Sequence, residues 1–306
     1  MFDTYNLDQK FRLVYDAVSF FDGNNLQDIE NLTEEGIAQY ELWKEYYEDW
    51  REAHGESVEL QGIVTEIDHE PLYTDEIKKI SIENISYEFS SLKSNDDIVH
   101  FSKKYGMLGL LPDFHLGTHT LHRTHFEPFD IWHSEIKEFS KIMKLYRALS
   151  TNNDRTEDSI EGNVIKISDN LDFRGLFEIR WYDNTPTRKS FPEQVLQSMS
   201  MVDIGRIILS EKLEEYTKGI DLKINKIVKS EKNKIGFYIT EKRETPYLIT
   251  AIYYDLWDKI NSNLQVSICA NPKCKLPFMK IKRQKYCSNA CKQESYRLRK
   301  EEEGGE

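Results

Sequence analysis

The chain has 306 residues, 39% hydrophobic and 31% charged, and so can bury a sizeable core in one large domain or two while staying globular and rather polar. No stretch approaches the roughly eighteen apolar residues of a spanning helix, and Met1–Lys10 carries charges where a secretory signal needs an apolar block. The expectation is no membrane association and a reducing, cytoplasmic setting. The net charge of −12 excludes a uniformly basic protein, so any contact with polyanions has to come from a local reversal of charge.

Taken in order, residues 7–22 fit either a first helix or a strand, and Gly23-Asn24-Asn25 marks a loop. Thr33-Glu34-Glu35 opens a capped helix to about Ala53, with Ile37, Tyr40, Leu42, Trp43, Tyr46, Tyr47 and Trp50 as a broad apolar stripe of the kind that builds cores. Residues 58–67 and 77–89 alternate as strands do, and residues 96–105 read as a helix stopped by Gly106.

Five of the eight histidines, His115, His119, His122, His125 and His133, fall between residues 115 and 133. Imidazoles in such density could ligate a metal or serve an enzyme. Gly117, Thr118 and Thr120 disfavour helix, and Pro112 and Pro128 bracket what reads as a flexible, solvated loop. The chain contains no His-Glu-x-x-His, P-loop, GxGxxG or GxSxG pattern, so a metal-dependent enzyme using His115–His133 is a minor reading and the chain leans away from catalysis.

Residues 128–149 form a firm amphipathic helix, and the apolar-free run Ser150–Asp158 reads as an exposed linker. Strands are expected over 163–168 and 176–182, a helix over 192–219, a hairpin from 220–228 and 235–240, and an apolar helix over 245–260. The body is therefore α+β and helix-rich with short antiparallel strands, divided as an acidic N-terminal region 1–150 and a second region 159–263. A C-terminal module, 264–300, follows.

All four cysteines lie in that module, as Cys269-x4-Cys274 and Cys287-x3-Cys291 about a dozen residues apart. Two close cysteine pairs suit one Zn2+ held by four thiolates, with Phe278 and Tyr286 as plugs for a small core; a disulfide pair or an iron–sulfur cluster fits the compartment and the spacing less well. The order knuckle, hairpin, knuckle, helix corresponds to a treble-clef-like or ribbon-like zinc finger. The run Cys-x4-Cys-x3-Phe-x7-Tyr-Cys-Ser-x2-Cys with a basic helix after it resembles the CGNR-type zinc finger of bacterial proteins, which are described as transcription regulators. The resemblance covers about residues 264–300. It implies that Cys269, Cys274, Cys287 and Cys291 are zinc ligands and that the module binds nucleic acid; the Gly-Asn-Arg of the family pattern is replaced by Lys292-Gln293-Glu294.

Charge separates along the chain in the same way. Residues 269–300 hold ten Lys and Arg against Glu294 alone, a local +9, whereas residues 1–268 carry −17. Screening over roughly 8–10 Å lets such a segment engage phosphates despite an acidic body. The expected contacts are Lys280, Lys282, Arg283, Lys285, Lys292, Arg297, Arg299 and Lys300, with DNA favoured over RNA as the partner. The alternative is a protein-interaction or scaffold protein with a purely structural finger, whose acidic body meets a protein partner or a second copy.

Overall fold

The computed structural model describes residues 4–14, 17–52, 60–66, 78–113, 118–150, 160–172, 174–224, 241–262, 266–271, 277–279, 284–286 and 289–303. The fold is α+β, helix-rich with short strands. The described elements are β1 (Thr4–Asn6), β2 (Phe11–Val14), β3 (Ala17–Asp22), α1 (Leu26–Glu30), α2 (Glu34–Glu52), β4 (Gln61–Glu66), β5 (Lys78–Ser81), α3 (Ile85–Phe89), α4 (Asn95–Tyr105), β6 (Leu110–Asp113), β7 (Thr118–Leu121), β8 (Phe126–Pro128) and α5 (Phe129–Ser150). They continue with β9 (Ile165–Leu171), β10 (Phe177–Trp181), β11 (Pro186–Phe191), α6 (Glu193–Leu196), α7 (Met201–Thr217), β12 (Asp221–Ile224), β13 (Glu241–Thr245), α8 (Leu248–Asn261), β14 (Val266–Ile268), β15 (Pro277–Met279) and α9 (Asn289–Glu303). Two compact units are present, Met1–Glu135 with Tyr216–Leu256, and Ile136–Glu215 with Trp257–Glu306.

The first unit contains an antiparallel sheet in the order β12-β13-β1-β2-β5 and a second in the order β3-β4-β8. The open choice for residues 7–22 falls to strand: β2 pairs with β1 and β5, and β3 pairs with β4 over its whole length, while β1 itself is flanked by β2 and β13. Gly62 in β4 faces Pro128 in β8, and a Cβ there would lie 2.2 Å from the Glu127 carbonyl oxygen. Only glycine allows that backbone approach. Phe21, Tyr40 and Phe126 meet edge to face with centroids 5.1–5.4 Å apart and join α2 to this sheet. Each such pair contributes about 0.5–1.5 kcal/mol beyond simple burial.

Two expectations in this unit are corrected. Residues 77–89 are not one strand: β5 stops at Ser81, Asn84 adopts φ 64°, and α3 begins at Ile85. That left-handed residue breaks the alternation and turns Ile85, Ser86, Tyr87 and Phe89 inward. Nor are residues 112–128 a plain loop, because β6 and β7 pair as a hairpin with Leu110 opposite Leu121. The helix read over 96–105 is present as α4, opened by a Ser94–Asp97 capping box and ended by Gly106 at φ +91°.

A single carboxylate organises the turn after α4. Glu127 is fully buried and accepts from the backbone N–H of Leu108 at 2.9 Å, Gly109 at 2.7 Å and Leu110 at 3.3 Å, and from Thr124 Oγ1 at 2.8 Å. Burial pushes its pKa up against the pull of these donors. Three consecutive N–H groups converging on one carboxyl form an anion nest filled from within the chain.

The second unit is built on the antiparallel sheet β9-β10-β11 and the larger part of α5. Its core includes Phe139, Ile142, Leu145, Ile165, Ile179, Trp181, Ile204 and Ile208, all nearly inaccessible. Burying each of these side chains contributes about 1.5–3 kcal/mol. Lys141, 3% exposed, donates to Glu138 Oε1 and to Thr185 Oγ1 at 2.6 Å and lies 3.4 Å from Asp183. Burial opposes ionisation of Asp183, but the Thr185 donors and the Lys141 cation outweigh it and hold the pKa at about 2. The helix expected over 192–219 is two helices, α6 and α7, because Ser200 caps the second through its contacts with Asp203. Residues 151–159 and 225–240, where the linker and part of a hairpin were expected, lie outside the described residues; β12 pairs with β13 instead.

Candidate polyanion interface

Helix α9 is built from residues of good helical propensity and has one sided burial. Ser295 is buried and Cys291 and Leu298 are half-buried, on one side of the helix. Tyr286, half-buried, places its hydroxyl 3.4 Å from Ser295 Oγ. Close to it, Ala270 N–H donates to the Lys285 carbonyl at 2.9 Å, and β14 pairs with β15. Asn271, buried, donates through Nδ2 to Glu294 Oε2 at 2.8 Å. That contact engages the one acidic residue among positions 289–300.

The opposite face is different. Lys292, Tyr296 and Lys300 recur every four residues and therefore stack on one side of the helix, with Arg297 and Arg299 flanking them. All four cations are exposed, as is Lys285. Among the described residues none of these five comes within ion-pair distance of a carboxylate. Arg299 Nε donates to the Ser295 carbonyl at 3.3 Å, and Lys300 Nζ lies 5.2 Å from the centre of the Tyr296 ring. Five of the eight expected contact residues thus share this surface or its immediate neighbourhood. Lys280, Lys282 and Arg283 lie outside the described residues.

The zinc expectation is corrected. Among the described residues no group of three or more His, Cys, Asp or Glu could hold a metal ion. Cys269 and Cys291 are described and join no such group, while Cys274 and Cys287 lie outside the described residues. A Zn2+ site needs four donors converging at bonding distance, and cysteine spacing along the chain does not supply convergence. The treble-clef or ribbon-like finger, the CGNR-type resemblance, the zinc-dependent regulator and the scaffold with a structural finger all fall with it.

The histidine reading is corrected on the same ground. His122 is exposed with Nδ1 3.1 Å from the Arg123 carbonyl, His125 Nδ1 is 3.2 Å from Thr65 Oγ1, and His133 Nε2 is 2.7 Å from Asn95 Oδ1. His115 lies outside the described residues, and His119 is part of strand β7. His133 borders an open cavity of about 330 Å3 lined also by Asn24, Leu60, Gln61, Asn95, Phe129 and Asp130. One imidazole already engaged by an amide, with a single carboxylate nearby, does not make an acid–base or nucleophilic pair.

Comparison with family models, with curated proteins and with solved structures gives no match to this chain. The face of α9 is therefore interpreted from its own chemistry. Sequence reading found its cations but passed over Tyr296, although the Lys-x3-Tyr-x3-Lys spacing that places it between two lysines was in plain view.

Proposed function

We propose that this protein binds nucleic acid through the exposed basic face of α9, in a mode that requires no metal. The observation that carries this reading is the set of exposed cations Lys285, Lys292, Arg297, Arg299 and Lys300, none of them neutralised by a carboxylate among the described residues. Some cations elsewhere are paired within the fold, as Lys104 is with Glu88 at 3.0 Å and Arg243 with Asp8 at 3.0 Å, whereas the α9 cations are notable for being grouped on one short helix. Mutual repulsion among cations on one helix is relieved by a polyanion, whose condensed counterions are released on binding. Asn271 engages Glu294, one of the four acids of α9; the other three, Glu301, Glu302 and Glu303, follow Lys300 at the end of the helix. Such a ligand is met in the cytoplasm, which is the location that accompanies this proposal.

The test is a gel shift with mixed DNA and RNA oligonucleotides, comparing the wild type with Lys292→Ala/Arg297→Ala/Arg299→Ala/Lys300→Ala at about 50 mM salt, where phosphate contacts are strongest. The wild type is expected to shift the probes and the quadruple variant to lose most of that binding. Equal binding by both proteins would place the contact elsewhere.

A further inference from the structure

We infer that the nucleic acid taken by α9 is single-stranded, with Tyr296 as a stacking platform for an unpaired base. This deepens the proposal above and rests on its identification of α9 as a phosphate-contacting face. Tyr296 is 55% exposed, a large aromatic surface left in water on a short, otherwise polar face. Lys292 stands one turn before it and Lys300 one turn after, with the Lys300 ammonium 5.2 Å from the ring centre. The ring is thus bracketed by cations along the helix axis, over about 12 Å from Lys292 to Lys300.

A duplex offers such a surface phosphates and groove edges, but the faces of its bases are already occupied by their neighbours. A single strand offers both phosphates and open π-faces, and aromatic rings set among cations are how proteins hold it without reading sequence. Tyrosine also has a hydroxyl that could donate to a phosphate of either strand form. Stacking uses the ring, so it survives removal of the hydroxyl; a phosphate contact does not. The two roles are therefore separable by chemistry.

The experiment is fluorescence anisotropy of the full chain with fluorescein-labelled oligodeoxythymidylate and with a labelled duplex of equal length. The variants are Tyr296→Ala, Tyr296→Phe and Lys292→Ala/Lys300→Ala. The wild type is expected to prefer the single strand, Tyr296→Ala to weaken that binding by about tenfold, and Tyr296→Phe to retain it. The salt dependence should be unchanged in Tyr296→Ala and shallower in Lys292→Ala/Lys300→Ala, because only the latter removes phosphate contacts. Equal affinity for the duplex, full binding by Tyr296→Ala, or loss in Tyr296→Phe equal to that in Tyr296→Ala overturns the single-strand inference while leaving the basic face in place. No binding of either probe at low salt, or indifference to the loss of both lysines, overturns the underlying reading as well.

Discussion

The turn after α4 and the exposed face of α9 handle charge in opposite ways. Around Glu127, a buried carboxyl is answered by three backbone N–H groups and a threonine hydroxyl. On α9, four cations face solvent without a carboxylate partner among the described residues. The cost of burying a polar group forces partners to be supplied in the fold itself, whereas an exposed cation remains hydrated and available. The first arrangement holds the chain together; the second is available to a ligand. Lys141, with Glu138, Asp183 and Thr185, belongs to the first kind although it too is a lysine.

This contrast predicts which substitutions disturb stability and which disturb binding. The largest effect is expected at Glu127. Glu127→Ala leaves three buried N–H groups without their acceptor and should cost roughly 3–5 kcal/mol, read as a lowered unfolding midpoint in urea. Next, Lys292→Ala/Arg297→Ala/Arg299→Ala/Lys300→Ala should weaken oligonucleotide binding by about two orders of magnitude at low salt, with a melting temperature close to that of the wild type. A marked drop in melting temperature would show that these side chains also support the fold.

A smaller loss, about 1–3 kcal/mol, is expected for Lys141→Ala, which deprives Glu138 and Asp183 of their shared cation. Asp183 also gives this network a pH signature. Its folded pKa of about 2 lies below the ordinary 3.8, so the folded state binds this proton more weakly than the unfolded chain. The resulting stabilisation is present above about pH 4 and is lost as pH falls through about 2. Acid titration of unfolding should therefore show a shallower loss in Lys141→Ala than in the wild type, since part of the depression comes from that lysine. The smallest effect is expected for Asp97→Ala, which opens the Ser94 capping box and should cost about 1 kcal/mol without changing binding.

Much of the helical framework was legible from residues alone. The periodic apolar positions of α2, α4 and α5 and the glycine stop at Gly106 mark those helices because their burial follows a period that local sequence records. The break at Asn84 was not legible, since the isoleucines on either side alternate as a strand would. Glu127 gave no sign either: its partners are main-chain groups some nineteen residues away, and backbone N–H groups have no sequence identity. At the C-terminus, the cations of α9 were visible as composition, and the four-residue spacing sets Lys292 and Lys300 on one side of the helix with Tyr296. The cysteine pairs were equally visible, but ligand convergence is a property of three dimensions, and Cys269 and Cys291 join no metal-holding group among the described residues.

The central claim concerns a cationic helix face that meets phosphates without a metal. It is tested most directly by the affinity of the full chain for labelled oligodeoxythymidylate, measured with a strong chelator present while salt is raised from about 50 to about 200 mM. Engagement of up to four phosphates by the α9 cations predicts a log–log slope near −3, from about −0.7 per single-strand contact, and no change on adding chelator. Affinity that is flat with salt, or that disappears with the chelator, would contradict it.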